Sequence, residues 1–284
     1  MRGGREHAWK RAALLLAAGA AAAGGCAWAV QGKLTTAWYE VPLPAGLEGL
    51  DGVKIAQISD VHSADLERPL GAALAAAAPD LIVMTGDLVN REDRDLSRAL
   101  SLAWMAAETA PSFFAPGNHE VDNLCWPELR DRLEEAGVQV LEDRAVLWSL
   151  RGEGVNLMGL WDVTHDPLGW AHAQAALPER VRALRREGAL NVLLSHRPSL
   201  LEEYGAGGAD GVFCGHAHRG QVRLPLAGPV FAPDEGLFPK HTAGVYQAGE
   251  TRMVVSRGLG NGTPYPRLWN GPELVVVTMK RAGT

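Results

Sequence analysis

Five short apolar runs, each stopping at residues able to hold a metal, set the pattern of this chain. Val53–Ser59 mixes β-branched and alternating positions, reads as a strand, and stops at Asp60-Val61-His62. Leu81–Thr85 has the unbroken apolar character of a strand buried on both faces and stops at Gly86-Asp87. Ser112–Ala115 stops at Pro116-Gly117-Asn118-His119, Asn191–Ser195 at His196, and Gly211–Cys214 at Gly215-His216-Ala217-His218. Helical patterns separate the first three runs: Leu70–Ala78, closed by Pro79, then Leu96, Leu100, Ala103 and Ala107 on one helical face. That alternation predicts βαβ units, whose parallel strands deliver their C-terminal loops to one sheet edge.

Farther along, Pro127–Gly137 predicts an amphipathic helix with Leu129, Leu133 and Ala136 inward and a glycine stop. Strands are expected at Ala145–Ser149 and Val155–Leu160, then a short helix over Pro178–Arg186 with proline in its first turn. From Gln221 onward the chain is turn-rich and ends in an apolar strand, Glu273–Met279. No fixed-period repeat occurs and no second boundary divides Val53 from Met279. The expected organisation is one domain over residues 51–280, preceded by a Pro/Gly-rich linker over 31–50.

Residues 1–30 differ from everything that follows. Arg2, Arg5, Lys10 and Arg11 precede Ala12–Val30, 19 residues without a charge. This is the pattern of a signal peptide or an uncleaved anchor helix, just long enough to span a bilayer. The expectation is therefore a membrane-anchored or exported protein on the extracytoplasmic face, with a bacterial-type signal and the membrane as a partner. Ala23-Gly24-Gly25-Cys26 faintly resembles a lipoprotein cleavage site, with Ala23 where a larger aliphatic residue is usual, and no Arg-Arg pair supports a twin-arginine signal.

Composition narrows the chemistry. A formal charge of −6 and a pI near 5.9 lack the basic signature of a nucleic-acid binder, so no nucleic-acid partner is expected, although a phosphate held through metal ions is compatible. Cys26, Cys125 and Cys214 form no C-x-x-C pair, which argues against a disulfide framework or zinc ribbon. No Gly-x-Ser-x-Gly elbow occurs, which disfavours a serine hydrolase. Taken singly, Gly-Asp and Gly-Asn are ordinary turn dipeptides and a lone histidine is usually a hydrogen-bonded or surface residue. Five such stops in succession, in loops expected at one sheet edge, point instead to a shared metal site.

The ordered motifs Asp60-x-His62, Gly86-Asp87, Gly117-Asn118-His119-Glu120, the isolated His196 and Gly215-His216-x-His218 resemble those of the calcineurin-like metallophosphoesterases. Gly220–Pro225, Pro233–Lys240 and Val255–Gly260 further resemble the membrane-associated, YkuE/YaeI-like phosphodiesterase branch of that superfamily. The resemblance implies an α/β fold, a four-layer α/β/β/α sandwich of two mixed sheets with a dinuclear metal site at the strand ends. It implies two divalent metal ions, and carboxylate, amide and imidazole ligands favour Mn, Fe or Zn over calcium or a thiolate zinc site. Matched motif to motif, Asp60, His62 and His218 would hold the first ion and Asn118, His196 and His216 the second, with Asp87 bridging. A hydroxide shared by the ions would attack phosphorus. His119 would be the catalytic non-ligand histidine, contacting the phosphate and protonating the leaving oxygen, with Glu120 and Asp122 as candidates to orient it.

The chain departs from many relatives at Asn90, where a carboxylate would raise the pKa of His119. Arg219 and His241 are the substrate-binding candidates, with Arg68, Arg197 and Arg223 as further cations able to meet a phosphate. His7, His165 and His172 match no motif and read as surface or structural, as do Trp161-Asp162 and His165-Asp166, and Cys214 reads as strand-end packing. The expected function is hydrolysis of a phosphodiester or pyrophosphate bond in a lipid-linked or envelope-associated phosphate ester by a monomer. An exported phosphomonoesterase and a non-catalytic metal-binding envelope protein are the alternatives.

Overall fold

The runs of unbroken burial along the chain need cover on both faces, and two stacked sheets with outer helices provide it. The protein is described here by a computed structural model over residues 33–218, 222–224, 228–232, 236–237, 239–262 and 270–281. The signal or anchor helix expected over residues 1–30 lies outside them, and so does Arg219.

One six-stranded sheet contains β1 (Thr35–Pro42), β2 (Lys54–Ile58), β3 (Leu81–Thr85), β4 (Ser112–Ala115), β5 (Val138–Val140) and β15 (Glu273–Lys280), in the order β1-β15-β2-β3-β4-β5. The other contains β6 (Arg144–Leu150), β7 (Glu153–Gly159), β8 (Ala189–Leu194), β9 (Gly211–Cys214), β13 (Gly244–Ala248) and β14 (Thr251–Val255), in the order β13-β14-β9-β8-β7-β6. A small antiparallel sheet joins β10 (Val222–Leu224), β11 (Gly228–Ala232) and β12 (Gly236–Leu237). Both large sheets are mixed: β2 to β5 are parallel while β15 opposes β2, and β7, β8, β9 and β14 are parallel while β6 and β13 oppose their neighbours.

The period of two along each strand sorts side chains into layers. From β3, Leu81 and Val83 enter the core between the sheets, where they join Ile55, Phe113, Leu157, Val192, Phe213 and Val254. Ile82 and Met84 face the other way, against α1 (Glu67–Ala77), α2 (Ser97–Thr109) and α4 (Trp126–Glu135) through Leu70, Leu74, Leu100, Ala103, Leu129 and Leu133. On the far side Met158, Leu193, Val212 and Met253 pack against Ala173, Leu177 and Val181 of α5 (Trp170–Leu184) and Leu201 and Tyr204 of α6 (Leu201–Gly207). The order of layers is therefore helix, sheet, sheet, helix. Each fully buried Leu, Ile or Val contributes about 1.5–3 kcal/mol relative to exposure.

Three segments differ from the sequence expectation. Residues 35–42 of the expected linker form β1, which pairs in parallel with β15 from Thr35–Glu273 to Pro42–Lys280. Thr35-Thr36-Ala37-Trp38-Tyr39 is β-prone, and Pro42 sits on an edge strand, where a missing N–H is tolerated. Helix α5 begins at Trp170 rather than Pro178, which lies inside it. An interior proline costs about 3 kcal/mol. Burial of Ala173, Leu177 and Val181 along one face offsets that cost. The turn-rich stretch after Gln221 holds the β13–β14 hairpin and the small sheet.

The topology places the chemistry. Strands β2, β3, β4, β8 and β9 all end at one edge of the sandwich, so the five ligand-bearing loops meet there. Among the described residues no helix is long and apolar enough to cross a membrane.

Candidate metal centre

The loops that meet at this edge are built around residues in the left-handed backbone region. Nine described non-glycine residues have positive φ, and five of them are Asp60 (52°), His62 (50°), Asp87 (55°), His216 (66°) and His218 (45°). Asp and His tolerate this region better than most L-residues, so the types that the chemistry requires are also those the tight turns accept. Such conformations still cost about 1 kcal/mol or more each and persist only where surrounding contacts over-determine them.

Those contacts are extensive. Asp60 N–H donates to the Gly86 carbonyl and His62 N–H to the Asp87 carbonyl, both at 3.0 Å, tying the first loop to the second. A buried relay runs from Gln57 Nε2 to Thr85 Oγ1 (2.9 Å), on to Ser59 Oγ (2.8 Å) and on to Asp60 Oδ2 (2.6 Å). The His216 N–H donates to the same carboxylate, at 3.0 Å to Oδ1. A Cβ on Gly215 would overlap Ser59 Oγ and the Asp60 carboxylate, so this turn accepts only glycine.

The second and third loops are joined by Glu120, which is fully buried in the short helix α3 (Asn118–Asp122). Its carboxylate accepts N–H bonds from Asp87 (2.7 Å), Leu88 (2.8 Å), Val89 (3.3 Å) and Gly117 (2.9 Å). Burial, with the Asp87 charge added, pushes Glu120 up to about 7 against these bonds. Glu120 therefore holds the Asp87 loop and does not orient His119, and Asp122 pairs with Arg91 at 3.3 Å instead.

Among the described residues three groups of ligand atoms form, each within 4.8 Å: Asp60, His62 and His218; Asp87, His196 and His216; and His62, Asp87 and His119. Asp87 belongs to two of them, with Oδ2 3.8 Å from His62 Nε2, 3.1 Å from His196 Nε2 and 3.9 Å from His119 Nε2. Asn118 is buried, and its Oδ1 has no hydrogen-bond partner.

The donor set fits divalent cations. His196 Nδ1 donates to the Thr85 carbonyl at 2.7 Å, so in the neutral ring Nε2 turns a lone pair toward Asp87. Two acceptors facing each other in a buried site require a proton or a metal between them. Without a metal it is a proton: burial, which lowers an imidazole, is outweighed by Asp87 and Asp60, and His196 rises to about 10. Burial instead drives His62 down to about 4, leaving its nitrogen neutral and available as a ligand.

Several groups have partners that the sequence did not indicate. Asn90 turns toward His62, its Oδ1 3.1 Å from Nδ1, rather than toward His119. His119 Nδ1 accepts the Arg91 N–H at 3.2 Å. Arg197, directly after His196, is buried and grips Asp162 with Nε to Oδ2 at 2.7 Å and Nη2 to Oδ1 at 3.0 Å. Its guanidinium lies 4.9 Å from the Trp170 ring centroid, and Nη1 is 3.3 Å from His216 Nε2. A cleft of about 470 Å³ opens over the site, lined among others by Asp87, Arg91, Asn118, His119, Thr164 and Arg197. His241 is not among its described lining residues and sets its ring edge against Tyr246, at 4.9 Å between centroids. His165 stacks on Trp161 and His172 pairs with Asp166 at 2.9 Å. Cys214 is buried in the outer core of the second sheet.

The sequence is similar to those of known proteins. The family model described as calcineurin-like phosphoesterase matches residues 53–220, which spans every ligand loop. The chain is 27% identical to the uncharacterized metallophosphoesterase YkuE of Bacillus subtilis over 93% of each chain. It is 31% identical to the phosphodiesterase YaeI of Escherichia coli over 64% of each chain. It is 23% identical to the UDP-2,3-diacylglucosamine pyrophosphatase LpxG of Chlamydia muridarum, over 83% of this chain and 86% of that one.

Proposed function

From a chain that belongs to the calcineurin-like phosphoesterase family, and is therefore a metal-dependent phosphate-ester hydrolase, we propose hydrolysis of a phosphodiester or pyrophosphate bond in a lipid- or envelope-associated substrate. The position of Asp87 carries the reading. One oxygen of this buried carboxylate, Oδ2, lies 3.8 Å from His62 Nε2 and 3.1 Å from His196 Nε2, so it reaches an imidazole of each ligand set, while Oδ1 accepts the backbone N–H of His119 at 2.9 Å. Asp60, His62 and His218 would hold one ion and Asn118, His196 and His216 the other. When bound, two such ions supply a water of lowered pKa and neutralise the phosphate oxygens.

The remaining work falls to the protein. His119 accepts at Nδ1, so its proton sits on Nε2 at the cleft wall, where it would hydrogen-bond a phosphate or leaving oxygen. Burial lowers its pKa, and the Arg91 N–H disfavours a second proton on Nδ1. His119 is thus suited to donate a hydrogen bond from the neutral ring. Arg197, fixed by Asp162 and Trp170, supplies a positive charge at the cleft lining.

The substrate class draws on the names of two relatives, a phosphodiesterase and a pyrophosphatase of a diacylated sugar nucleotide, and on the uncharged residues 12–30. The test is turnover of bis-p-nitrophenyl phosphate, p-nitrophenyl phosphate and a diacylated pyrophosphate with Mn, Fe or Zn. Preference for the last substrate, with loss of activity in Asp87→Asn and His119→Ala proteins of unchanged fold, is expected. Preference for the monoester would replace the reading with a phosphomonoesterase, and no turnover with any metal would leave only a metal-binding protein.

A further inference from the structure

Two exposed leucines stand in loops next to the cleft. Leu124 is 81% and Leu168 72% exposed. Each follows closely on a cleft-lining residue, Asp122 in the first case and Thr164 in the second. The turn Val163–His165 lies alongside α3, so both leucines belong to adjoining loops on one flank of the site. Side chains of this size are stabilised by about 1.5–3 kcal/mol each when removed from water, and here they are left in it beside a polar, ligand-lined opening.

The path of the chain leads to the same end of the molecule. Because β15 opposes β2 and β1 follows β15, Thr35 at the start of β1 lies opposite Glu273, at the edge where β2 delivers Asp60. Thr35 N–H donates to the Pro272 carbonyl at 3.0 Å, and Glu273 N–H to that of Gly258. The chain therefore enters the sandwich at the ligand edge. Only residues 31–34 separate the uncharged stretch 12–30 from Thr35, a reach of at most about 18 Å. Strand β1 stands four strand spacings from β4, about 19 Å. The entry of the chain and the loops that carry the leucines thus lie at one end of the molecule, the end at which the cleft opens.

We infer that this end seats on a lipid bilayer, with Leu124 and Leu168 entering the headgroup–acyl boundary and the cleft facing the headgroups. The inference rests on the lipid- or envelope-associated substrate proposed above and sharpens it: the substrate is a phosphate ester whose organic group stays in the bilayer while its phosphorus reaches the metals. A lipid surface, rather than a protein partner, suits isolated aliphatic tips next to a cleft joined by a short tether to a 19-residue uncharged stretch. With a net charge of −6, attachment relies on apolar insertion and not on attraction to anionic lipid, so zwitterionic vesicles suffice.

The test uses the full chain with phosphatidylcholine vesicles and the photo-crosslinking residue p-benzoylphenylalanine at position 124, 168 or 147. Leu147 is 47% exposed in edge strand β6 and serves as the control. Crosslinks to phosphatidylcholine at 124 and 168 and not at 147 are expected. Equal yield at all three positions, or none at 124 and 168, overturns the inference. In parallel, Leu124→Ser/Leu168→Ser should lower hydrolysis of a vesicle-borne phosphodiester at least tenfold while leaving bis-p-nitrophenyl phosphate turnover unchanged. Equal loss on both substrates also overturns it. Because crosslinking needs no turnover, failure of the hydrolase reading and failure of the docking inference are separable.

Discussion

His62 presents Nδ1 to the amide oxygen of Asn90 at 3.1 Å, and Asn90 is locked in return, its Nδ2 donating to Asp93 Oδ2 at 3.1 Å and to the His62 carbonyl at 3.2 Å. An acceptor-only carboxylate and a carbonyl fix which end of the amide faces the imidazole. The bond selects the tautomer that leaves His62 Nε2 free to ligate. Partners of this kind usually account for 10–100-fold in metal affinity. Asn90→Ala should therefore weaken metal binding by about that factor in chelator competition, with secondary structure intact. Asn90→Asp should not rescue it, because the new carboxylate would lie beside Asp93. Unchanged affinity in Asn90→Ala would show that the bond does not orient the ligand.

Arg197 and Asp162 form a buried two-point ion pair at the cleft wall. Removing one partner strands the other charge, at a cost of about 3–5 kcal/mol, whereas removing both costs less. Arg197→Met and Asp162→Asn should each lower the unfolding midpoint, and the double variant should recover part of the loss. Arg197→Lys tests the role in binding. Lysine lacks the planar fork, so it should raise KM and the inhibition constant of inorganic phosphate about tenfold or more, with kcat less affected. A purely structural pair would leave phosphate inhibition unchanged.

What the sequence made legible follows from where the physics is local. Leu81–Thr85 and Ser112–Ala115 matched their strands residue for residue, because burial on both faces leaves an unbroken apolar signature that a ligand-bearing turn ends sharply. Strand β1 was hidden because its partner, β15, lies more than 200 residues away and Pro42-Leu43-Pro44 reads as linker. The side-chain pairs were the hardest to read. Asn90 falls at the motif position expected to serve His119, yet the turn through His62 brings it to the other histidine. Asp162 and Arg197 lie 35 residues apart on different loops, and no periodicity links them.

Gly215 meets Ser59 and Asp60 so closely that a methyl group cannot enter without moving the carboxylate. Gly152 makes the opposite comparison: its φ is +86° in the β6–β7 turn, and nothing lies within 4 Å of an added Cβ. Gly152→Ala should cost about 1–2 kcal/mol from backbone strain alone and leave metal binding unchanged. Gly215→Ala should lose metal affinity as well as stability. Thermal unfolding with and without added Mn distinguishes them, since only Gly215→Ala should lose the metal-induced rise in midpoint. An equal rise in both variants would show that the Asp60 carboxylate tolerates displacement.

The proton on His196 sets the pH dependence of the centre. In the metal-free protein Asp87 and Asp60 outweigh burial and raise His196 to about 10, above its unfolded value near 6.5. A raised folded pKa contributes stability that is complete below about 6.5 and is lost as pH climbs through about 10. Metal must displace that proton to reach Nε2. His62, lowered to about 4, has none to release at neutral pH. Apparent metal affinity should then rise about tenfold per pH unit from pH 6 to 8, with one proton released per His196 site occupied. Chelator competition across that range reads the slope, and calorimetry in buffers of different ionisation enthalpy counts the proton. The unfolding midpoint of the metal-free protein should fall between pH 7 and 10, and bound metal should remove His196 from that decline. An affinity that stays flat from pH 6 to 8 would mean that His196 Nε2 carries no proton for the metal to displace, and that its approach to Asp87 is held by the fold alone.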